Sequence, residues 1–161
     1  MTKMSMHKNT VKYSVVVPVF NSANIVAETI DQIVRFFKTH LLNYELVLVN
    51  DGSHDRSWEV LCKKAMENTH IIAISLLRNY GQHTAILCGL QHCTGDYIIT
   101  MDDDLQNPPE EMKCLIEKTT EGCDLVFGRF REKKHARHRR LGSMLINAFN
   151  SRIFYKPKGL V

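Results

Sequence analysis

Apolar residues along this chain alternate between two patterns. Tyr13 to Phe20 is β-branched and nearly continuous, which predicts a strand buried on both faces. From Asn24 to Thr39 the apolar positions Ile25, Ile30, Ile33, Val34 and Phe37 follow helical spacing. Glu45 to Val49 predicts a second strand, running into Asn50-Asp51-Gly52-Ser53. Ser53 and His54 stand where a helix N-cap belongs, and a helix is expected over Asp55 to Met66. The pattern then repeats: strands over Ile71–Leu76, Asp96–Met101 and Asp124–Phe127, and helices over Thr84–His92 and Pro108–Thr120. After a basic stretch, Leu141, Met144, Leu145, Ala148 and Phe149 return at helical spacing and predict a last helix on the sheet.

Strand–helix alternation with short connections implies βαβ units. The expected class is therefore α/β, a mainly parallel Rossmann-like sheet with helices on both faces. Such sheets bind ligands beyond the carboxyl ends of their strands. Three polar strand ends, Phe20-Asn21, Asn50-Asp51-Gly52 and Asp102-Asp103-Asp104, are therefore expected to converge on one edge.

The third of these carries the strongest chemistry. Three adjacent carboxylates follow the apolar run Tyr97 to Met101 and precede the proline-marked helix start at Pro108-Pro109. Like charges in one pocket raise each other's pKa, so a cation would relieve the site. Carboxylate oxygens suit Mg²⁺ or Mn²⁺, which keep waters and share their coordination with substrate phosphates. A metal–diphosphate site is expected; the competing reading is a solvated acidic turn capping the next helix.

Composition narrows the classes. With 161 residues and 44% hydrophobic content, the chain has core enough for one globular domain from residue 13 onward, after a polar tail over 1–12. No apolar run approaches the ~20 residues of a membrane span, and the first residues lack the apolar segment of a secretory signal. Five cysteines without a Cys-x-x-Cys pair predict reduced thiols in the cytosol, not a disulfide frame or a zinc site. The net charge of +4 is concentrated between Arg129 and Arg140, where seven Lys/Arg face the single acid Glu132. So local a patch points to a phosphate ligand or an anionic membrane surface, not to nucleic acid.

Read in order, the motifs resemble family 2 glycosyltransferases with the GT-A nucleotide-sugar fold. Val15 to Asn21 is similar to that family's opening strand and nucleotide loop, and Val49 to Ser53 to its second strand end. Arg78 to His83, Gly95-Asp96 and Asp102 to Glu110 follow. The last two groups resemble the branch that transfers a sugar onto a polyisoprenyl phosphate, such as the dolichyl-phosphate mannose synthases. They resemble still more closely its bacterial members that transfer formamido-arabinose to undecaprenyl phosphate.

The resemblance implies roles. Pro18, Phe20, Asn21, Asp51, Arg78, Asp102 and Asp103 would bind the nucleotide, with Phe20 stacking on the base and Asp51 accepting from a base N–H. Stacking of this kind contributes ~1–3 kcal/mol in single-strand binders. Asp102, Asp104 and Gln106 would hold the metal, and Asp104 would take part in catalysis. Asp103 replaces a small residue of the family pattern and would point away or touch the ribose. Arg129, Arg139 and Ser143 would grip the acceptor phosphate, while Lys133, Lys134 and Arg137 form a solvated or lipid-facing surface. Gly52 permits a tight turn or a close backbone approach. His83 lacks a partner carboxylate and is read as helix-start packing. Ser22-Ala23 after Asn21, and Asn50 before Asp51, depart from the family pattern and bear on nucleotide identity.

The implied activity is metal-dependent inverting transfer from a nucleoside-diphosphate sugar, UDP favoured over GDP, to a polyisoprenyl phosphate. A glycan or other acceptor, and a non-catalytic sugar-nucleotide-binding module, are the alternatives. Leu105 and the Pro108-Pro109 step lack what a phosphohydrolase with Asp-x-Asp needs. The catalytic base, the acceptor-side elements and the membrane segments are expected beyond residue 161. The fragment would then be soluble, cytoplasmic and weakly active or inactive alone, capable of homo-oligomerising, and the full-length protein would lie on the cytoplasmic face of the inner membrane.

Overall fold

The computed structural model describes residues 11–128. All their regular elements fall within one compact unit that ends at Leu125. Strand β1 (Lys12–Val19) leads to helix α1 (Val26–Thr39), β2 (Asn43–Asn50), α2 (Ser57–Glu67) and β3 (Ile71–Ser75). Helix α3 (Gln82–Leu90), β4 (Tyr97–Thr100), a 3₁₀ turn (Pro109–Glu111) and α4 (Met112–Thr120) complete the order.

The four strands form one parallel sheet in the order β3-β2-β1-β4. The chain steps outward from β1 to β2 to β3, then returns across the sheet and places β4 on the other side of β1. One side chain of every pair on β1 faces each layer. Tyr13, Val15, Val17 and Val19 pack with α1 residues Val26, Ile30, Ile33 and Phe37 and with Leu61 of α2. Val16, together with Val47 and Val49 of β2, packs with Ala85 of α3 on the second layer. This is the strand buried on both faces that its unbroken apolar run predicts. Each fully buried Val or Ile of this set contributes about 1.5–3 kcal/mol by leaving water.

Helix α3 comes close to the sheet because Gly89 carries no side chain. A Cβ there would lie 2.4 Å from Val16 Cγ1 and 3.2 Å from Val49 Cγ2. On the other layer, aromatic rings bridge α1 to the strands: Phe37 stacks on Tyr44 with centroids 4.9 Å apart.

Two sequence expectations are corrected. Asp124–Phe127 forms no strand; it is irregular, with Leu125 73% and Phe127 83% exposed. A four-residue apolar run becomes a strand only when a neighbour pairs with it, and among the described residues β4 pairs with β1 alone. Ser53 does not cap α2, which begins at Ser57. Asp55 does that work: its Oδ1 accepts the Ser57 N–H at 3.0 Å and the Ser57 hydroxyl at 2.5 Å, and its Oδ2 accepts the Ala23 N–H. Among the described residues no helix is long and apolar enough to cross a membrane, and all five cysteines are unpaired.

At the amino end of the strands lies a buried polar cluster. Glu45, 6% exposed, accepts from Lys12 Nζ and Ser14 Oγ, both at 2.6 Å, and from the backbone and hydroxyl of Thr94. The Gly95 N–H donates to Ser14 Oγ, and Asp96 Oδ2 accepts the Lys12 N–H at 2.8 Å. Gly95-Asp96 is thus a fastening of the turn before β4 to the start of β1, remote from the strands' carboxyl ends. Burial alone would push Glu45 up, but hydrogen bonds from Lys12, Ser14 and Thr94 outweigh it and bring its pKa to about 2 from an ordinary 4.5. Because the folded value lies below the unfolded one, the stability this confers is present above pH 4.5 and is lost as pH falls toward 2. The difference corresponds to roughly 3 kcal/mol at neutral pH. Glu45→Gln should therefore lower the urea midpoint at pH 7, and the gap to the wild type should shrink below pH 4.5 and close only as pH falls to about 2. Parallel pH curves for the two proteins would contradict the assignment.

Candidate active site

The order β3-β2-β1-β4 reverses direction between β1 and β4, and open α/β sheets bind ligands where the strand order reverses. A cleft of about 340 Å³ opens there. Its walls come from the end of β1 (Pro18, Val19, Phe20), the residue after β2 (Asp51), the entry to α3 (Asn79, Gly81, Gln82) and the acids after β4 (Asp102, Asp103, Asp104). The expected convergence of three polar strand ends on one edge is what the structure shows.

Phe20 is the aromatic of this cleft. It is 41% exposed, with His54 edge-on at 6.4 Å between centroids. A large apolar ring left half in water at the rim of a cleft is available to a flat ligand.

Asp51 is buried, and both its oxygens already serve the protein. Oδ1 accepts the Tyr80 N–H at 2.8 Å and Oδ2 the Gly81 N–H at 2.9 Å. The end of β2 thereby grips the loop between β3 and α3. A carboxylate has about four acceptor positions, so a donor from a ligand can still be received. Gly52 makes the grip possible: its φ is +64°, and a Cβ would lie 2.3 Å from the Arg78 carbonyl carbon and 2.5 Å from the Asn79 nitrogen. Both a left-handed turn and a close backbone approach are present at this one residue.

The three acids after β4 differ in their surroundings. Asp102 is exposed, and its Oδ1 accepts from Gln82 Nε2 at 2.7 Å. Asp104 Oδ1 accepts the Gln106 N–H at 3.0 Å, closing a local turn in which Leu105 has φ +55°. Asp103 is turned toward the loop between β1 and α1, where its carboxylate accepts from the Ser22 hydroxyl and its carbonyl from Thr29 Oγ1 at 2.8 Å. Burial pushes its carboxyl above the ordinary value. Hydrogen bonds from Ser22 and the Phe20 N–H oppose that rise, and the neighbouring Asp104 charge adds to it. Asp103 therefore fastens the end of β4 to the first loop while its side chain still lines the cleft. Asp102 and Asp104 each keep a second oxygen without a partner among the described residues.

Other expected residues lie elsewhere. Asn21, at φ +53°, joins the first and second loops: its N–H donates to Ser53 Oγ and its Oδ1 accepts the His54 N–H. Arg78 is exposed, with its guanidinium 4.9 Å from the Tyr80 ring centroid, and does not line the cleft. Gln106 is exposed and reaches Asp104 through its backbone, not its side chain. Arg129, Arg139 and Ser143 lie outside the described residues. Conversely, Asn79, Gly81 and Gln82 line the cleft although the sequence carried no chemical signal for them individually. Among the described residues no three His, Cys, Asp or Glu side chains close on one point tightly enough to hold a metal by themselves.

The comparisons with known proteins agree with this geometry. The sequence model described as Glycosyl transferase family 2 matches residues 14–160. An undecaprenyl-phosphate 4-deoxy-4-formamido-L-arabinose transferase of Proteus mirabilis is 42% identical over 146 residues, covering 90% of this chain and 45% of that protein. The chain thus spans less than half the length of this curated relative. Among solved structures, the glucosyl-3-phosphoglycerate synthase of Mycobacterium tuberculosis in complex with Mn²⁺, UDP and phosphoglyceric acid superposes with a TM-score of 0.65. It is 20% identical, over 89% of this chain and 49% of its own. S. aureus TarS in complex with UDP-GlcNAc gives a TM-score of 0.58 at 23% identity, over 76% of this chain and 37% of its own. At such identities the likeness speaks to the fold, which is the GT-A fold of the glycosyltransferases. Strand order, cleft position and a family pattern matched over nearly the whole length leave one conclusion: the chain belongs to glycosyl transferase family 2.

Proposed function

We propose that this chain is the donor-binding domain of a glycosyltransferase that moves a sugar from a nucleoside diphosphate, UDP favoured over GDP, to a polyisoprenyl phosphate. The observation that carries this reading is the charge of the cleft. Four carboxylates line it, and no Lys or Arg stands among its lining residues within the described part of the chain. A diphosphate brings about two negative charges of its own and would be repelled there unless a divalent cation came with it.

The residues present fit such an ion. Asp102 and Asp104 offer hard oxygens on one rim, and Mg²⁺ or Mn²⁺ ordinarily completes its shell with water and phosphate, so two protein ligands suffice. Solved relatives in fold, the Mycobacterium synthase and a Pyrobaculum calidifontis mannosyltransferase with GDP-Man, contain Mn²⁺. When bound, the ion supplies Lewis-acid stabilisation of the departing nucleoside diphosphate. The chain's own residues do the rest of the donor-side work. Phe20 stacks on the base, Asp51 receives a base donor beside its two backbone bonds, and Asp103 keeps the β1 and β4 ends in register. The reaction is inverting: an acceptor phosphate oxygen attacks the anomeric carbon, the bond to the diphosphate breaks, and the diphosphate leaves with the electron pair.

The name of the Proteus relative supports the polyisoprenyl acceptor. The guanidinium groups of Arg129 and Arg139 and the hydroxyl of Ser143 suit a phosphate monoester. For the whole protein we assign the reaction to the cytoplasmic face of the inner membrane. Calorimetric titration with UDP and GDP, each with and without Mn²⁺, tests the donor reading. UDP with Mn²⁺ should bind most tightly; no binding of either nucleotide under any condition would end it.

A further inference from the structure

Gln82 has no charge and no place in the donor chemistry above, yet it is held in a defined position. It is the first residue of α3, directly after Gly81, whose N–H is gripped by Asp51 Oδ2 at 2.9 Å. The same loop is fastened a second time by the Tyr80 N–H on Asp51 Oδ1 and is backed by the close approach of Gly52 to Arg78. From that fixed base the Gln82 amide spans to the far wall and donates Nε2–H to Asp102 Oδ1 at 2.7 Å. The bond joins α3 to the residue after β4 across the cleft, and both partners line it.

We propose that Gln82 is a positioning residue for the cation. By occupying Oδ1 of Asp102 it holds the carboxylate in one rotamer and leaves Oδ2 free for the ion. It also joins the Asp51 end of the cleft to the Asp102 end in one mechanical unit. An exposed aspartate without such a partner samples several χ1 and χ2 states, and ordering it on ion binding costs affinity. Partners that orient metal-ligating side chains typically contribute 10–100-fold in metal affinity. The inference rests on the donor reading above.

Gln82→Met tests it, because Met matches Gln in length and helix propensity and removes only the donor. Calorimetry on the full 161-residue chain would measure UDP affinity in Mn²⁺ and in EDTA for wild type, Gln82→Met and Gln82→Ala, with thermal unfolding alongside. The expected result is about 10-fold weaker UDP binding in Mn²⁺ for both variants, with EDTA affinity and Tm unchanged. A merely structural role would instead lower Tm, spare Gln82→Met, or weaken binding equally in both media, and any of these overturns the proposal. Wild-type linkage retained by Gln82→Met overturns this inference alone. A wild type that binds UDP with no response to Mn²⁺ overturns the ion-dependent reading and this inference with it.

Discussion

Asp102→Ala and Asp104→Ala should each weaken UDP binding in Mn²⁺ by about 100-fold or more, since loss of a direct ligand exceeds the 10–100-fold cost of losing an orienting partner. The sign in the absence of metal is the sharper signature. The cleft holds four carboxylates, so deleting one removes a repulsion that an unaccompanied diphosphate feels. Each variant should therefore bind metal-free UDP slightly better than the wild type while losing the Mn²⁺ response. Paired titrations in Mn²⁺ and EDTA read both effects. Variants that retain wild-type affinity in Mn²⁺ would remove the basis of the donor site; equal losses in both media would point to local unfolding instead. Asp102 is exposed and Asp104 half-buried, and no described core contact depends on either side chain. Collapse of the fold is therefore not expected from these substitutions.

The second large effect is expected at Gly52. A Cβ at φ +64° costs about 1–2 kcal/mol in backbone conformation. The added carbon would also sit 2.3 to 2.6 Å from three backbone atoms of Arg78 and Asn79. Backbone cannot rotate aside as a side-chain tip can, and overpacking of this kind adds typically 1–3 kcal/mol. Gly52→Ala should thus destabilise by about 2–5 kcal/mol in urea titrations and push the β3–α3 loop off Asp51, weakening nucleotide binding as well. Gly81 offers a contact-free comparison: nothing lies within 4 Å of its hypothetical Cβ, but at φ +92° and ψ +153° it occupies a region essentially reserved for glycine. Gly81→Ala should therefore cost about 1–3 kcal/mol through backbone conformation alone. If Gly52→Ala costs no more than its conformational ~1–2 kcal/mol, the close approach of the loops contributes nothing.

Much of this organisation was legible in the chain. The two-pattern alternation gave every described strand and helix within a few residues, because β-branched runs such as Val15–Val17 and the Ile30-Ile33-Phe37 spacing serve one period each. The meeting of Phe20, Asp51 and Asp102 was legible for a topological reason: parallel strands end on the same edge. What escaped was set by partners distant in sequence. Gln82 matters through a bond to a residue 20 positions away, and nothing in an uncharged amide at a helix start announces it. Asn21 reads as a ligand residue, yet its side chain is committed to the His54 N–H 33 positions on. Gly95-Asp96 resembles a functional motif, and the structure gives it a fastening role to Ser14 and Lys12. Asp124–Phe127 had the composition of a strand, but pairing decides strands, and no described neighbour pairs with it.

The Glu45 cluster has a practical consequence for experiments on this molecule. Its carboxylate, with a pKa of about 2, is fully ionised from pH 6 to 8. Its contribution to stability is therefore constant over that range. A change in ligand affinity titrating between pH 6 and 8 would accordingly belong to the far edge of the sheet, or to the nucleotide itself, and not to a loosening of this anchor. The molecule offers a flat baseline over the range in which a sugar donor's phosphates and a Mn²⁺ shell are most conveniently studied.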